Sequence, residues 1–109
     1  MIFDHIAHQV PDIAEAVAWQ TATIPGATVL HQDDSWALVE AGGLKTAYVL
    51  PDEHPAHVAY RVDDATLEAL AAQRGTTIAT HRDATRSIYI EGPGTICLEI
   101  IAYPAGSAA

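Results

Sequence analysis

A stretch near the start of this chain, His5-Ile6-Ala7-His8-Gln9-Val10-Pro11-Asp12, returns 52 residues later as His57-Val58-Ala59-Tyr60-Arg61-Val62-Asp63-Asp64. His5 aligns with His57, Ala7 with Ala59, Val10 with Val62 and Asp12 with Asp64. An internal repeat constrains the fold more than local propensity does, because both copies must adopt the same unit. This one also duplicates a histidine at the start of a strand-like run, where a metal ligand could sit.

Local patterns extend the correspondence. Residues 2–10 alternate as a strand, with His5, Ala7 and Gln9 on one face and Ile6, His8 and Val10 on the other. Asp12 followed by Glu15 reads as a capping pair, with Ile13, Ala16, Val17 and Gln20 at helical spacing until Pro25-Gly26. Strands are predicted over 27–31, 35–40 and 44–50, separated by Gln32-Asp33-Asp34 and Ala41-Gly42-Gly43 turns. After Pro51–Pro55 the order recurs: a strand over 57–62, a helix over 64–74 closed by Gly75, then strands over 76–81, 86–91 and 96–103. The turns match as well, His31-Gln32-Asp33 with His81-Arg82-Asp83 and Gly43 with Gly94.

The expected fold is therefore α+β, one domain over 2–103 built from two βαβββ halves, 2–50 and 56–103. Residues 51–55 form the linker and 104–109 a flexible tail. Each helix would cover one sheet face, against Ile6 and Val10 or Val58 and Val62, leaving the opposite faces to curl around a cavity. His5, Ala7, Gln9 and His57, Ala59, Arg61 fall on that cavity side, where alanines and polar residues suit a lining better than a core.

Half of the 109 residues are hydrophobic, enough for a core. The formal charge of −9, with no Lys/Arg cluster, argues against a nucleic-acid partner or an anionic membrane surface. No apolar run is long enough to span a bilayer, and no basic segment precedes an apolar core at the N-terminus. The single cysteine, Cys97, fits a reducing, cytoplasmic compartment.

These residues carry a resemblance. Asp4-His5-Ile6-Ala7 through Val10-Pro11-Asp12, and Pro55-Ala56-His57-Val58-Ala59 through Val62-Asp63-Asp64, resemble the vicinal oxygen chelate superfamily. That superfamily includes glyoxalases, extradiol dioxygenases, epimerases, fosfomycin-resistance enzymes and bleomycin-binding proteins. Thr85-Arg86-Ser87-Ile88-Tyr89-Ile90 and Gly92-Pro93 running to Leu98-Glu99-Ile100-Ile101 extend the likeness over residues 2–103. One scaffold of this kind hosts many chemistries, so the likeness speaks to fold more than to substrate.

The resemblance implies metal ligands on the first and last strand of each half. His5, His57 and Glu99 match three of the four points. The fourth, 52 residues before Glu99, is Ala47, which cannot ligate. This departs from the four-ligand glyoxalase and epimerase pattern and leaves the two-histidine, one-carboxylate set of the extradiol and fosfomycin-modifying enzymes. Such a face leaves positions open for adjacent substrate oxygens and suits Fe(II), Mn(II), Zn(II) or Ni(II).

The remaining polar residues divide more simply. His8 points to the helix face and reads as structural, while His31 and His81 would bond locally at equivalent turns and His54 would meet solvent in the linker. Arg61 is placed to hold a substrate carboxylate or phosphate, or to bridge across the sheet. Ser87 and Tyr89 share a face and offer a hydroxyl for acid–base work, with Tyr89 and Glu99 the catalytic candidates and aromatic cavity lining the alternative for Tyr89. Gln9 and Trp36 are substrate-contact candidates, Trp36 as a pocket floor. Trp19 is expected to pack, Glu40 and Glu91 to be solvated, and Cys97 to share the Glu99 face with no base to activate it.

The expected function is a metal-dependent lyase, isomerase or epimerase acting on a small molecule with vicinal oxygens. The alternatives are an Fe(II)-dependent dioxygenase and a metal-free binding protein of the bleomycin-resistance type. A homodimer, closed or swapped, is expected.

Overall fold

The computed structural model describes residues 1–105. Its elements run β1 (Ile2–Gln9), α1 (Ile13–Thr23), β2 (Thr28–Gln32), β3 (Trp36–Ala41), β4 (Leu44–Val49), β5 (His57–Arg61), α2 (Asp64–Arg74), β6 (Ala79–Thr80), β7 (Arg86–Glu91) and β8 (Cys97–Ala102). Strand, helix and three strands thus occur twice in succession. The tail expected over 104–109 lies outside the described residues from 106 onward.

The chain divides into two compact units, one of residues 5–58 and one of residues 1–4 with the chain from Ala59 onward. In the first, the strand order is β2-β3-β4-β1. β1 runs parallel to β4, with Ala7 opposite Ala47, and β3 is antiparallel to β4, with Leu38 opposite Ala47. Helix α1 begins at Asp12, whose Oδ1 accepts a hydrogen bond from Glu15 N at 3.0 Å and so satisfies a helix-terminal amide. It buries Ile13 and Val17 against Ala37, Val39 and Tyr48. The opposite sheet face holds a smaller cluster of Ala7, Ala47 and Val49, with Leu38 against it.

In the second unit the order is β5-β8-β7-β6, the same arrangement with the same strand roles. Asp63 Oδ1 accepts from Thr66 N at 2.7 Å to start α2. Gly75, at φ +65°, ends it, its amide and that of Thr76 reaching back to Ala72 and Ala71 carbonyls. Leu67 and Ala71 pack on Val62, Ile88, Ile100 and Ala102, so the even-numbered residues of β7 and β8 face the helix. Arg86 reaches from β7 to Asp64 and Glu68 on α2. The odd-numbered residues Ser87, Tyr89 and Glu99 are left for the other face.

Two expectations are corrected. The strand predicted over 76–81 shrinks to Ala79–Thr80, because the Thr76 amide is spent on closing α2 and the chain turns again at His81. Trp19 does not pack: it is 64% exposed, since it lies about 200° around the helix from Val17.

Candidate functional site

Within the unit of residues 5–58, the two repeated histidines meet. His5 Nε2 and His57 Nε2 are 3.2 Å apart, with their rings nearly perpendicular at 72°. The tautomer of His57 follows from its other nitrogen: Nδ1 lies 2.8 Å from the Pro55 carbonyl, which can only accept, so Nδ1 carries the hydrogen. The neutral ring then presents a bare Nε2 lone pair toward His5. Metal-ligating histidines are commonly oriented by this kind of outer hydrogen bond. Two nitrogens each about 2.1 Å from one ion, at angles of about 90–109°, stand about 3.0–3.4 Å apart. The observed 3.2 Å fits that spacing.

The surroundings of the pair are held by the linker. Gln9 Nε2 donates to the His54 carbonyl at 2.8 Å and reaches the Pro51 carbonyl at 3.4 Å. Glu53 and His54 amides close a turn onto Leu50 O. Residues 51–55 are therefore a braced turn that delivers Pro55 O to His57. His54, expected in solvent, is half-buried there.

In the other unit, Glu99 is 4% exposed and stands opposite Tyr89 in the β7–β8 ladder. The Tyr89 hydroxyl donates to it. Burial, then the Glu99 charge and this hydrogen bond, hold the Tyr89 hydroxyl well above the usual tyrosine range. Tyr89 thus keeps its proton at neutral pH and serves as a donor, not a base. His81 Nε2 lies 3.6 Å from Glu99 Oε2 and 2.7 Å from Ser87 Oγ. Cys97 shares this face; burial and the charges of Glu91 and Glu99 raise its thiol, the reverse of what a nucleophile needs.

His81 is the residue that the sequence did not flag for this role. The matching turns suggested one local role for His31 and His81, yet only His31 keeps to it, 3.0 Å from Asp33 Oδ2.

The other candidates each have an internal partner. Arg61 lies over the Tyr103 ring, its Cζ 4.0 Å from the centroid, and the Tyr103 hydroxyl donates to the buried Asp4 carboxylate at 2.9 and 3.1 Å. Trp36 stacks on His31 at 3.9 Å between centroids. His8, read as a satisfied structural histidine, is exposed, with its ring 6.4 Å from Tyr48. Ala7 and Ala59, expected as cavity lining, are closed in at 2% and 0% exposure. Ala47 is buried beside Ala7, so that strand position offers no ligand. A cleft of about 650 Å³ runs beside α1 past His8, Trp19 and Tyr48, on the sheet face away from Ala7 and Ala47.

No protein-family model and no curated protein sequence matches the chain. Solved structures do. A hypothetical protein from Bacillus halodurans superposes with TM-score 0.73 at 14% identity, covering 98% of this chain and 97% of that one. A structure described as a NAD-dependent benzaldehyde dehydrogenase from Legionella pneumophila gives 0.71 at 11% identity, covering 91% and 97%. A glyoxalase/bleomycin resistance protein/dioxygenase superfamily member from Vibrio splendidus gives 0.64 at 9% identity, covering 92% and 97%. Identities this low speak to fold alone.

Proposed function

Starting from the glyoxalase/bleomycin resistance/dioxygenase fold that this chain has, we propose a metal-dependent enzyme. It would act on a small substrate with vicinal oxygens by lyase, isomerase or epimerase chemistry. His5, His57 and Glu99 are its metal-ligating residues. The observation that carries this reading is the His5–His57 pair, with facing nitrogens 3.2 Å apart and one tautomer set by Pro55. Two neutral imidazoles and a carboxylate suit Fe(II), Mn(II), Zn(II) or Ni(II). A divalent ion held there supplies Lewis acidity toward adjacent substrate oxygens.

The chain's own side chains do the rest. His57 keeps Nδ1 on the Pro55 carbonyl and so offers Nε2 as its ligating nitrogen. Tyr89 holds its proton and donates to Glu99, limiting the ways that carboxylate can turn. We assign substrate contact to Arg61, Gln9 and Trp36. Trp36, stacked on His31, favours a planar group; Arg61 favours an anionic one; Gln9 acts through the 51–55 segment it holds. A homodimer in a reducing cytoplasm completes the reading, supported by the exposed apolar Met1, Ile2 and Phe3 and by the lone thiol.

The test is metal analysis of the purified protein beside His57→Ala. Bound metal in the unaltered chain and its loss in the variant support the site; equal content in both refutes it. The two-histidine, one-carboxylate donor set also favours Fe(II) oxygen chemistry. Oxygen uptake by the iron-loaded protein would select that reading. Small-molecule binding that ignores chelator, in a protein with no metal, would replace both with a binding role.

A further inference from the structure

The second half treats its turn histidine differently from the first, and the difference tracks the carboxylate. His31 and His81 occupy matching turns, each followed two residues later by an aspartate. In the half that has Ala47, His31 stays on Asp33 and Trp36. In the half that has Glu99, His81 turns its Nε2 onto Ser87, itself 1% exposed, and to within 3.6 Å of the Glu99 carboxylate.

The turn beneath His81 is built to keep it there. His81 N donates to Thr85 O at 2.8 Å, and Ala84 N donates to His81 O at 3.0 Å. Asp83 Oδ1 accepts from both Thr85 N at 3.0 Å and Thr85 Oγ1 at 2.6 Å. Ala84 is left at φ +68°, a conformation that disfavours any residue with a Cβ and persists only where neighbouring contacts over-determine it. Among the described residues it is the single non-glycine with positive φ.

From these contacts we infer that His81, backed by Ser87, is a positioning residue for the Glu99 carboxylate. The hydrogen bond between His81 Nε2 and Ser87 Oγ, at 2.7 Å, fixes the ring with that nitrogen 3.6 Å from Glu99 Oε2. With the Tyr89 hydroxyl donating to the carboxylate and the His81 ring edge set against Oε2, two fixed groups limit the rotation of a side chain that is 4% exposed. Its remaining lone pairs then have a set direction, which is what an outer partner contributes to a metal ligand. This inference rests on the proposed metal role of Glu99.

Cobalt(II) titration of metal-stripped protein, followed by visible absorbance, tests it with His81→Ala, His81→Gln and Ser87→Ala. His81→Ala should weaken cobalt binding by about 10–100-fold and alter the band shape. His81→Gln, which keeps an N–H near the same place, should recover part of the affinity, and Ser87→Ala should weaken it several-fold. Affinity and spectrum unchanged in His81→Ala would overturn the positioning role alone. No cobalt binding by the unaltered chain would overturn the metal reading and this inference together. If His81→Ala does not fold, as judged by circular dichroism, Ser87→Ala decides, and unchanged affinity there refutes the role.

Discussion

Removing one oxygen atom, by Tyr89→Phe, isolates the contact that most directly loads Glu99. The ring stays in its place in the β7–β8 ladder opposite Glu99, so the perturbation is close to the loss of a single donor. Hydrogen bonds to a charged partner contribute about 1.5–3 kcal/mol, and a carboxylate at 4% exposure has little water to take over. His81 remains within 3.6 Å and softens the loss, which puts the expected destabilisation near 2 kcal/mol. With a urea slope of about 2 kcal/mol per molar, the unfolding midpoint should fall by about 1 M. The assay is urea unfolding at neutral pH of the unaltered chain, Tyr89→Phe, Glu99→Ala and the double variant. The double-mutant cycle should return a coupling of at least about 1 kcal/mol. A coupling below about 0.5 kcal/mol would mean that the Tyr89 hydroxyl is not spent on Glu99, and the account of this face would fall with it.

Other expectations use the same reasoning. His8→Ala should leave metal content unchanged while His57→Ala removes it, because alternation puts His8 on the opposite face of β1 from His5; parallel metal analysis checks both. Tyr48, Tyr89 and Tyr103 are all raised above the ordinary value of 10.0, burial being the largest cause in each. Their un-ionised forms therefore stabilise the fold fully below pH 10. That stability should drain away as pH rises beyond 10, with Tyr103→Phe flattening the slope in unfolding curves taken from pH 8 to 11.5. Leu67→Ala, at 0% exposure between α2 and the sheet, should cost about 3–5 kcal/mol in chemical unfolding. Gly75→Ala should cost about 1–2 kcal/mol, since φ +65° there closes α2.

What could be read in advance depended on how locally each feature is determined. Asp12 and Asp63 cap their helices through amides three residues on, and Gly75 ends α2 through its own backbone, so those boundaries were visible in the residues themselves. Alternation likewise set His5 and His57 on one kind of face and His8 on the other. The exposure of Trp19 follows from helical phase, about 200° from Val17, and not from its aromatic character. The short β6 depends on where the Thr76 amide goes, which only the closed end of α2 reveals. His81 was hidden for a related reason: its turn resembles that of His31, and what separates them is the residue on the neighbouring strand, Glu99 in one half and Ala47 in the other.

The group that sets the hydrogen of His57 is a main-chain carbonyl, and Gln9 likewise holds the 51–55 segment through main-chain carbonyls. Side chains at 52 and 53 could therefore drift while the tautomer of the histidine stayed the same. A mutational scan of that segment should show tolerance to composition and intolerance to length, because adding or deleting one residue would move Pro55 O away from Nδ1. In this part of the molecule, heritable information about chemistry resides in spacing, and an alignment scored on residue identity would pass over it.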